Sequence, residues 1–429
     1  MGPTSRNPSY DGNIGLSVNT SRDGDYRHLH TSRDRIQATA LMVDTRCSRL
    51  SASEPQIDFC TLGMFIIDEI EFEAPAPPVK DIIGGAGAYA ALGARLVAGK
   101  EYSNSVGWIV DCGSDFPEAI KETLLTWDTH CIFREDPNRL STRGWNGYGP
   151  NEKRYFKYLT PKLRLDQNSL TRSLLMSNTF HMVCSPLRCC ELVQGILERR
   201  ADVLRRLDFK SSRTIARPIF VWEPVPDRCC EEELQNLYKA IRYVDVVSPN
   251  ENELARFFGK TTWEKRNGED REMAEAIVRM GIGPSGDGTL VIRAGKDGCY
   301  TFSRHGVLHL PAFKFVDVVD PTGAGNTFLG ALSQGLMSHG RTPFNIIHEM
   351  LGGSKAWQDI QTKWGDEGKL PAALICAIVA ASFAIEQIGM PKISLPADGL
   401  EYWNGSHYTD RLLLYKEQFM DMYDTVSER

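Results

Sequence analysis

From Ile57 onward the chain alternates short β-rich runs with helical patterns, and few architectures accept that rhythm. The runs are "IDFCTLGMFII", "SVGWIV", "HCIFR", "TFHMVC", "PIFVWEP", "YVDVVSP", "TLVIRAG" and "KFVDVV". Strands alternating with helices predict an α/β fold: a doubly wound, mainly parallel sheet with helices on both faces, joined by right-handed crossovers. Ligands in such folds collect at the carboxyl ends of strands. Gly63, Asn250, Gly295 and Gly323 fall at those ends. One segment breaks the rhythm. "STRGWNGYGPNEKRYFKYL", 141–159, reads as a hairpin around Gly147, Gly149 and Pro150, a small β lid over the sheet.

With 429 residues, 42% of them apolar, the chain can bury a sizeable core. A net charge of −6 and the lack of a Lys/Arg stripe interleaved with aromatics exclude nucleic acid as the expected partner and favour a small molecule. No run approaches 18 consecutive apolar residues and no signal-like apolar stretch follows a charged start, so a soluble, cytoplasmic protein without membrane contact is expected. Eleven cysteines without CxxC spacing predict reduced, unligated thiols. His181, inside "FHMVC", reads as a hydrogen-bonded core residue rather than a ligand.

Residues 1–54, poor in aromatic and large aliphatic side chains, are expected to form a disordered tail. Asp11, Asp23, Asp25, Asp34 and Asp44 argue against an acid-poor transit peptide. Residues 55–400 then form the main domain and 401–429 a helical extension, with surface loops or extra helical pieces near 203–217 and 341–369.

The stretch "DVVDPTGAGNTFLGAL", 317–332, reads as a strand end, a glycine turn and an amphipathic helix. Pro321 lacks an N–H, Gly323 and Gly325 permit positive φ, and the helical pattern starts with Phe328, Leu329 and Leu332. Such a turn either lets helix and strand pack tightly or converges free amides on an anion. "VSPNENE" puts Asn250 and Glu253 on one face of a helical turn, where an amide oxygen and a carboxylate could hold a water-clad Mg²⁺. "VIRAGKDGCY" ends a buried strand at Gly295 and Gly298, bare backbone for a flat ring and ribose. Asp68 follows an apolar run and is either a polyol-binding carboxylate or a solvated loop residue.

These motifs, in this order over about 57–395, resemble the PfkB family of carbohydrate kinases, the ribokinase-like group, and most of all its maintenance-of-killer branch. The matching elements are Gly63 to Asp68, the pair Gly84-Gly85, Asn250 with Glu253, Gly295 with Gly298, and Asp320 to Asn326. The resemblance implies ATP-dependent phosphorylation of a hydroxymethyl group on a sugar or nucleoside. It implies ATP at Gly295, Gly298, Asn250, Glu253 and Thr322, with acceptor contacts at Asp68, Gly84, Gly85 and Tyr89. It also implies charge stabilisation by the amides of Gly323, Ala324 and Gly325, and Mg²⁺ near Asn250, Glu253 and Asp320. Asp320 and Thr322 match positions that help ligate a monovalent cation in relatives.

Three positions depart from the pattern. The general base of the family, the last aspartate of its glycine motif, is here Asn326, whose amide can orient a hydroxyl but has no basic site near neutral pH. Tyr89 stands where an asparagine often meets the sugar, and "LICAIVAASFAIEQIG" offers no asparagine to adenine. Two rivals remain. A kinase fold retained as a silent binding or scaffold module is one. The other is a dinucleotide-binding dehydrogenase, from "GAGAYA" followed 26 residues past Gly85 by Asp111, although three prolines precede it where a central strand is needed.

Overall fold

The computed structural model describes residues 55–71, 77–149, 153–206, 216–263, 268–337, 343–364, 369–396 and 399–423; the expected tail 1–54 lies outside them. The strands are β1 (Phe59–Thr61), β2 (Ile66–Glu71), β3 (Val79–Gly84), β4 (Val106–Cys112), β5 (His130–Glu135), β6 (Arg143–Gly149), β7 (Lys153–Tyr158) and β8 (Thr179–Cys184). There follow β9 (Ile219–Pro224), β10 (Val246–Val247), β11 (Thr289–Arg293), β12 (Cys299–Ser303), β13 (Gly306–Leu310), β14 (Ile393–Ser394) and β15 (Tyr402–Trp403). The helices are α1 (Gly85–Ala98), α2 (Glu118–Leu125), α3 (Arg172–Leu175), α4 (Pro186–Arg206), α5 (Leu234–Ala240) and α6 (Glu251–Phe257). The later ones are α7 (Gly268–Arg279), α8 (Ala324–Leu336), α9 (Pro343–Leu351), α10 (Lys355–Trp364), α11 (Lys369–Ala384) and α12 (Tyr408–Tyr423).

Nine strands form the central sheet in the order β13-β12-β11-β10-β9-β8-β1-β4-β5. All neighbours from β11 to β5 pair in parallel, and β12 and β13 close the other edge antiparallel. The alternation of side chains along each strand divides the core. Phe59, Trp108, Val221 and Val291 pack against α1, α8, α11 and α12, while Cys60, Ile109, Phe180 and Trp222 pack against α4, α5 and α7. Strand order reverses at β1, which places a topological switch point at its carboxyl end. A second sheet, β3-β2-β6-β7, is antiparallel except where β2 and β6 run in parallel, and it contains the expected hairpin.

Two helices that position the site touch backbone to backbone. A Cβ on Gly93 of α1 would stand 1.9 Å from the Thr327 carbonyl oxygen, and one on Gly330 of α8 would stand 1.9 Å from that of Ala90. Glycine at both positions is what allows the approach. Helix α11 covers α8 and is apolar all round, the pattern of a helix with no solvent face; its Pro371 lies in the first turn, where no amide needs an intrahelical acceptor.

The structure corrects two readings. "KFVDVV" is not a strand: residues 311–320 run irregularly. The reason is local. Side chains of α12 take up the backbone groups that a ladder would use, Tyr415 Oη donating to the Pro311 carbonyl at 2.9 Å and Gln418 bonding Ala312 and Lys314. The dinucleotide reading also falls. Gly85 starts a helix that follows β3 of the small sheet, not a central strand, and the Asp111 carboxylate is taken by Arg134 and Arg139 at 2.7–2.9 Å. His181 is fully buried, as expected of a core residue.

Candidate active site

The glycine turn sits where the sheet ends. Gly323 adopts φ +84, in the left-handed region, and acts as N-cap of α8. The Thr322 amide donates to Asp320 Oδ1 at 2.9 Å, and Ala324 N reaches the Pro321 carbonyl at 3.3 Å. The amides of Gly325 and Asn326, next in line, have no acceptor among the described residues. They stand at the positive end of a 13-residue helix, the arrangement that binds anions.

A cavity of about 590 Å³ opens beside them. Gly295, Gly298, Ala324 and Gly325 line it, together with apolar side chains that include Phe313, Val316, Phe328, Ile378 and Ile385. Arg293, Lys296 and Lys314 supply its charge, and among the described residues no carboxylate lines it. At Gly295, with φ +51, a Cβ would meet nothing within 4 Å, so this backbone is open to a ligand; Gly298 is different, since a Cβ there would stand 2.0 Å from the Leu310 carbonyl of β13. The sequence pointed to the two glycines alike, and the fold gives only one of them an open face.

Asn250 and Glu253 do not line this cavity. They cap α6 reciprocally: Glu253 N donates to Asn250 Oδ1, and Asn250 N and Nδ2 donate to the two Glu253 oxygens, each at 2.8 Å. Arg293 completes the arrangement, its Nη2 lying 3.1 Å from Glu253 Oε2 and 2.9 Å from Glu223 Oε1 at the end of β9. Burial pushes the Glu253 carboxyl up to about 7 against the pull of Arg293, with Glu223 adding to the rise. The other guanidinium nitrogen faces the turn, for a Cβ on Gly325 would stand 2.1 Å from Arg293 Nη1.

On the opposite flank, the Tyr89 ring of α1 packs against Gly323, 2.2 Å from where a Cβ would be. Gly84 and Gly85 begin the same helix, and a Cβ on Gly84 would lie 1.9 Å from Asp68 Oδ2. Asp68 is buried on β2 opposite Gly144 of the small sheet. Asp68, Gly84, Gly85 and Tyr89 thus form one flank of the turn, while Gly295, Gly298 and Arg293 form the other. Asn326 follows Gly325 in α8, its Oδ1 buried without a hydrogen-bond partner among the described residues.

Arg293, Glu223, Lys296 and Lys314 were not among the candidate residues. A signal existed for the first two. Each is a charge at the end of a buried apolar run, "VIRAG" and "VWEP", where an ion needs a partner.

This architecture, a nine-stranded mainly parallel sheet with a small second sheet, is shared with known proteins. The chain is 35% identical to "Uncharacterized protein C16C9.01c" of Schizosaccharomyces pombe over 84% of its length and 93% of that protein. It is 32% identical to "Protein MAK32" of Saccharomyces cerevisiae over 83% of its length and 92% of that protein. Residues 224–395 match the pfkB family carbohydrate kinase profile. The fold superposes on that of fructokinase with bound ATP from Xylella fastidiosa with a TM-score of 0.52 at 16% identity, covering 85% of this chain and 99% of that one. The chain belongs to the PfkB carbohydrate kinase family.

Proposed function

We propose that this chain is an ATP-dependent kinase that phosphorylates a hydroxymethyl group of a sugar or nucleoside. The observation that carries the reading is the cavity itself: apolar walls and an open Gly295 face suit a flat base, and three cations and two unpaired amides suit a polyphosphate. The acceptor enters from the Asp68 and Tyr89 side. ATP supplies the phosphoryl group; the residues of this chain supply position and charge. The Gly325 and Asn326 amides donate to phosphoryl oxygens and neutralise charge as the bond to the leaving group lengthens. Asn326 Oδ1, an acceptor without a partner, receives the hydrogen bond of the incoming hydroxyl and aims its oxygen. The proton of that hydroxyl leaves late, as expected for a loose transition state, without a carboxylate at this position.

The proposed metal ligands Asn250 and Glu253 do not fit a resident Mg²⁺ in this geometry. Their donor atoms are committed to each other and to Arg293, and no group of three or more His, Cys, Asp or Glu is poised for a metal among the described residues. No step is therefore assigned to a metal held by them.

The test is ATP binding and turnover with a panel of sugars and nucleosides, beside a Gly325→Val variant. Turnover that Gly325→Val abolishes supports the kinase; a wild type that binds no adenine nucleotide overturns it. The missing carboxylate at Asn326 favours a second reading, a nucleotide-binding scaffold without chemistry. Under that reading the wild type binds ATP, turns over no acceptor, and gains turnover only as Asn326→Asp.

A further inference from the structure

Arg293 is placed unlike an ordinary structural arginine. One of its terminal nitrogens, Nη2, serves the whole internal network, bonding Glu223, Glu253 and the Ser248 carbonyl at 2.9–3.1 Å. The other, Nη1, has no protein acceptor among the described residues and abuts Gly325, the first of the two free amides. The side chain is 12% exposed and lines the cavity. A guanidinium held on one side by two acidic side chains, with its other nitrogen beside Gly325 and the cavity, offers its remaining donors to an anion there.

The same network decides what else can stand there. A divalent ion entering between Glu223, Glu253 and a phosphate would have to expel a guanidinium held by two ion pairs. It would also break the cap of α6, because Glu253 Oε2 accepts from Asn250 N as well as from Arg293. A guanidinium fixed on two carboxylates, with donors facing outward, takes the electrostatic place such an ion would have: acids behind, cation between, anion in front.

We propose that Arg293 is the built-in phosphate-facing cation of this site, donating through Nη1 to the polyphosphate seated on the Gly325 and Asn326 amides, so that polyphosphate binding there does not require a divalent metal. The inference deepens the kinase reading and rests on its placement of the phosphates. The anion half can nevertheless be tested without a nucleoside. Lys296 and Lys314, which also line the cavity, supply additional positive charge to the same ligand.

The experiment is calorimetric titration of the full chain with tripolyphosphate, ATP and adenosine, in EDTA and then with excess Mg²⁺. The expected result is tripolyphosphate and ATP binding in EDTA within a few-fold of that with Mg²⁺. Arg293→Gln should lose about 10- to 100-fold in EDTA, the scale of a charge-assisted hydrogen-bond pair. It should regain affinity when Mg²⁺ is added, because Glu223, released from Arg293, is then open to the ion. Adenosine affinity should be unchanged, a split that a merely structural role would not produce. Arg293→Gln combined with Glu253→Gln restores charge balance and guards against misfolding of the single variant. Wild-type binding of ATP and tripolyphosphate that is at least tenfold tighter with Mg²⁺, or equal tripolyphosphate affinity in wild type and the folded variant, overturns the inference. Tripolyphosphate binding that depends on Arg293 without any binding of ATP or adenosine sustains the inference and overturns the kinase reading instead.

Discussion

The ring of Tyr89 occupies the space where a side chain on Gly323 would stand, so α1 sits directly against the N-cap of α8. Gly323→Ala must then meet two costs: a β-carbon at φ +84, about 1–2 kcal/mol, and a clash at 2.2 Å with the ring. Denaturant unfolding should show a loss of roughly 2–4 kcal/mol, and combining the change with Tyr89→Ala should remove the steric part relative to Tyr89→Ala alone. Equal losses in both backgrounds would mean that the ring is not the obstacle.

Restoring a carboxylate at 326 tests the chemistry directly. Asn326→Asp should raise kcat by about 10²–10⁴-fold, with KM for ATP changed little, and should introduce an acidic limb in the pH–rate profile. If neither turnover nor profile changes, proton removal is not what limits the wild type.

His181 makes stability sensitive to acid. Burial, together with the nearby Arg293 charge, holds its imidazolium form off until pH falls to about 3. The Thr61 hydroxyl accepts from the Gly63 amide and shares a hydrogen bond of 2.9 Å with His181 Nδ1, while Nε2 is buried without a partner among the described residues. The unfolded chain protonates the same ring near 6.5. Between those values the unfolded state binds more protons, so stability rises with pH across the window and falls as acid is added. His181→Gln, which keeps an acceptor for Thr61 but does not titrate, should flatten the unfolding free energy between pH 6.5 and 4 relative to wild type. Parallel curves for the two proteins would rule this out.

Arg95 ties α1 to the segment 401–403 that precedes α12. It is 1% exposed, donates from Nε to the Trp127 carbonyl at 2.5 Å and forks onto Glu401, which also accepts from Trp403 Nε1 at 2.8 Å. Glu401→Ala strands a buried cation and should cost about 3–5 kcal/mol, whereas Arg95→Met with Glu401→Gln should cost much less. Urea unfolding of the three variants decides; a single substitution no worse than the double would contradict the arrangement.

How far the sequence carried differs between fold and site. Most of the parallel strands were legible because they are buried apolar runs, and the glycine turn was legible because Pro321, Gly323 and Gly325 permit little else. The antiparallel edge, β12 and β13, was not anticipated, since "CYTFS" and "GVLHL" are short and ambiguous until β11 gives them a partner. "KFVDVV" misled for the converse reason: it carries strand composition, but Tyr415 and Gln418, about 100 residues later, claim its flanking backbone. The role of Arg293 was hidden likewise. It depends on two carboxylates 70 and 40 residues away, which no local pattern joins.

The close seating of α1 on α8 has a consequence for how this protein can change. With Gly93 against Thr327 and Gly330 against Ala90, the span from Tyr89 to Asn326 is dictated by peptide contacts, not by compressible side chains. The two helices must travel as one body. A change in this flank can therefore be made by exchanging what projects from them, at Tyr89 or Asn326, but not by spreading them apart.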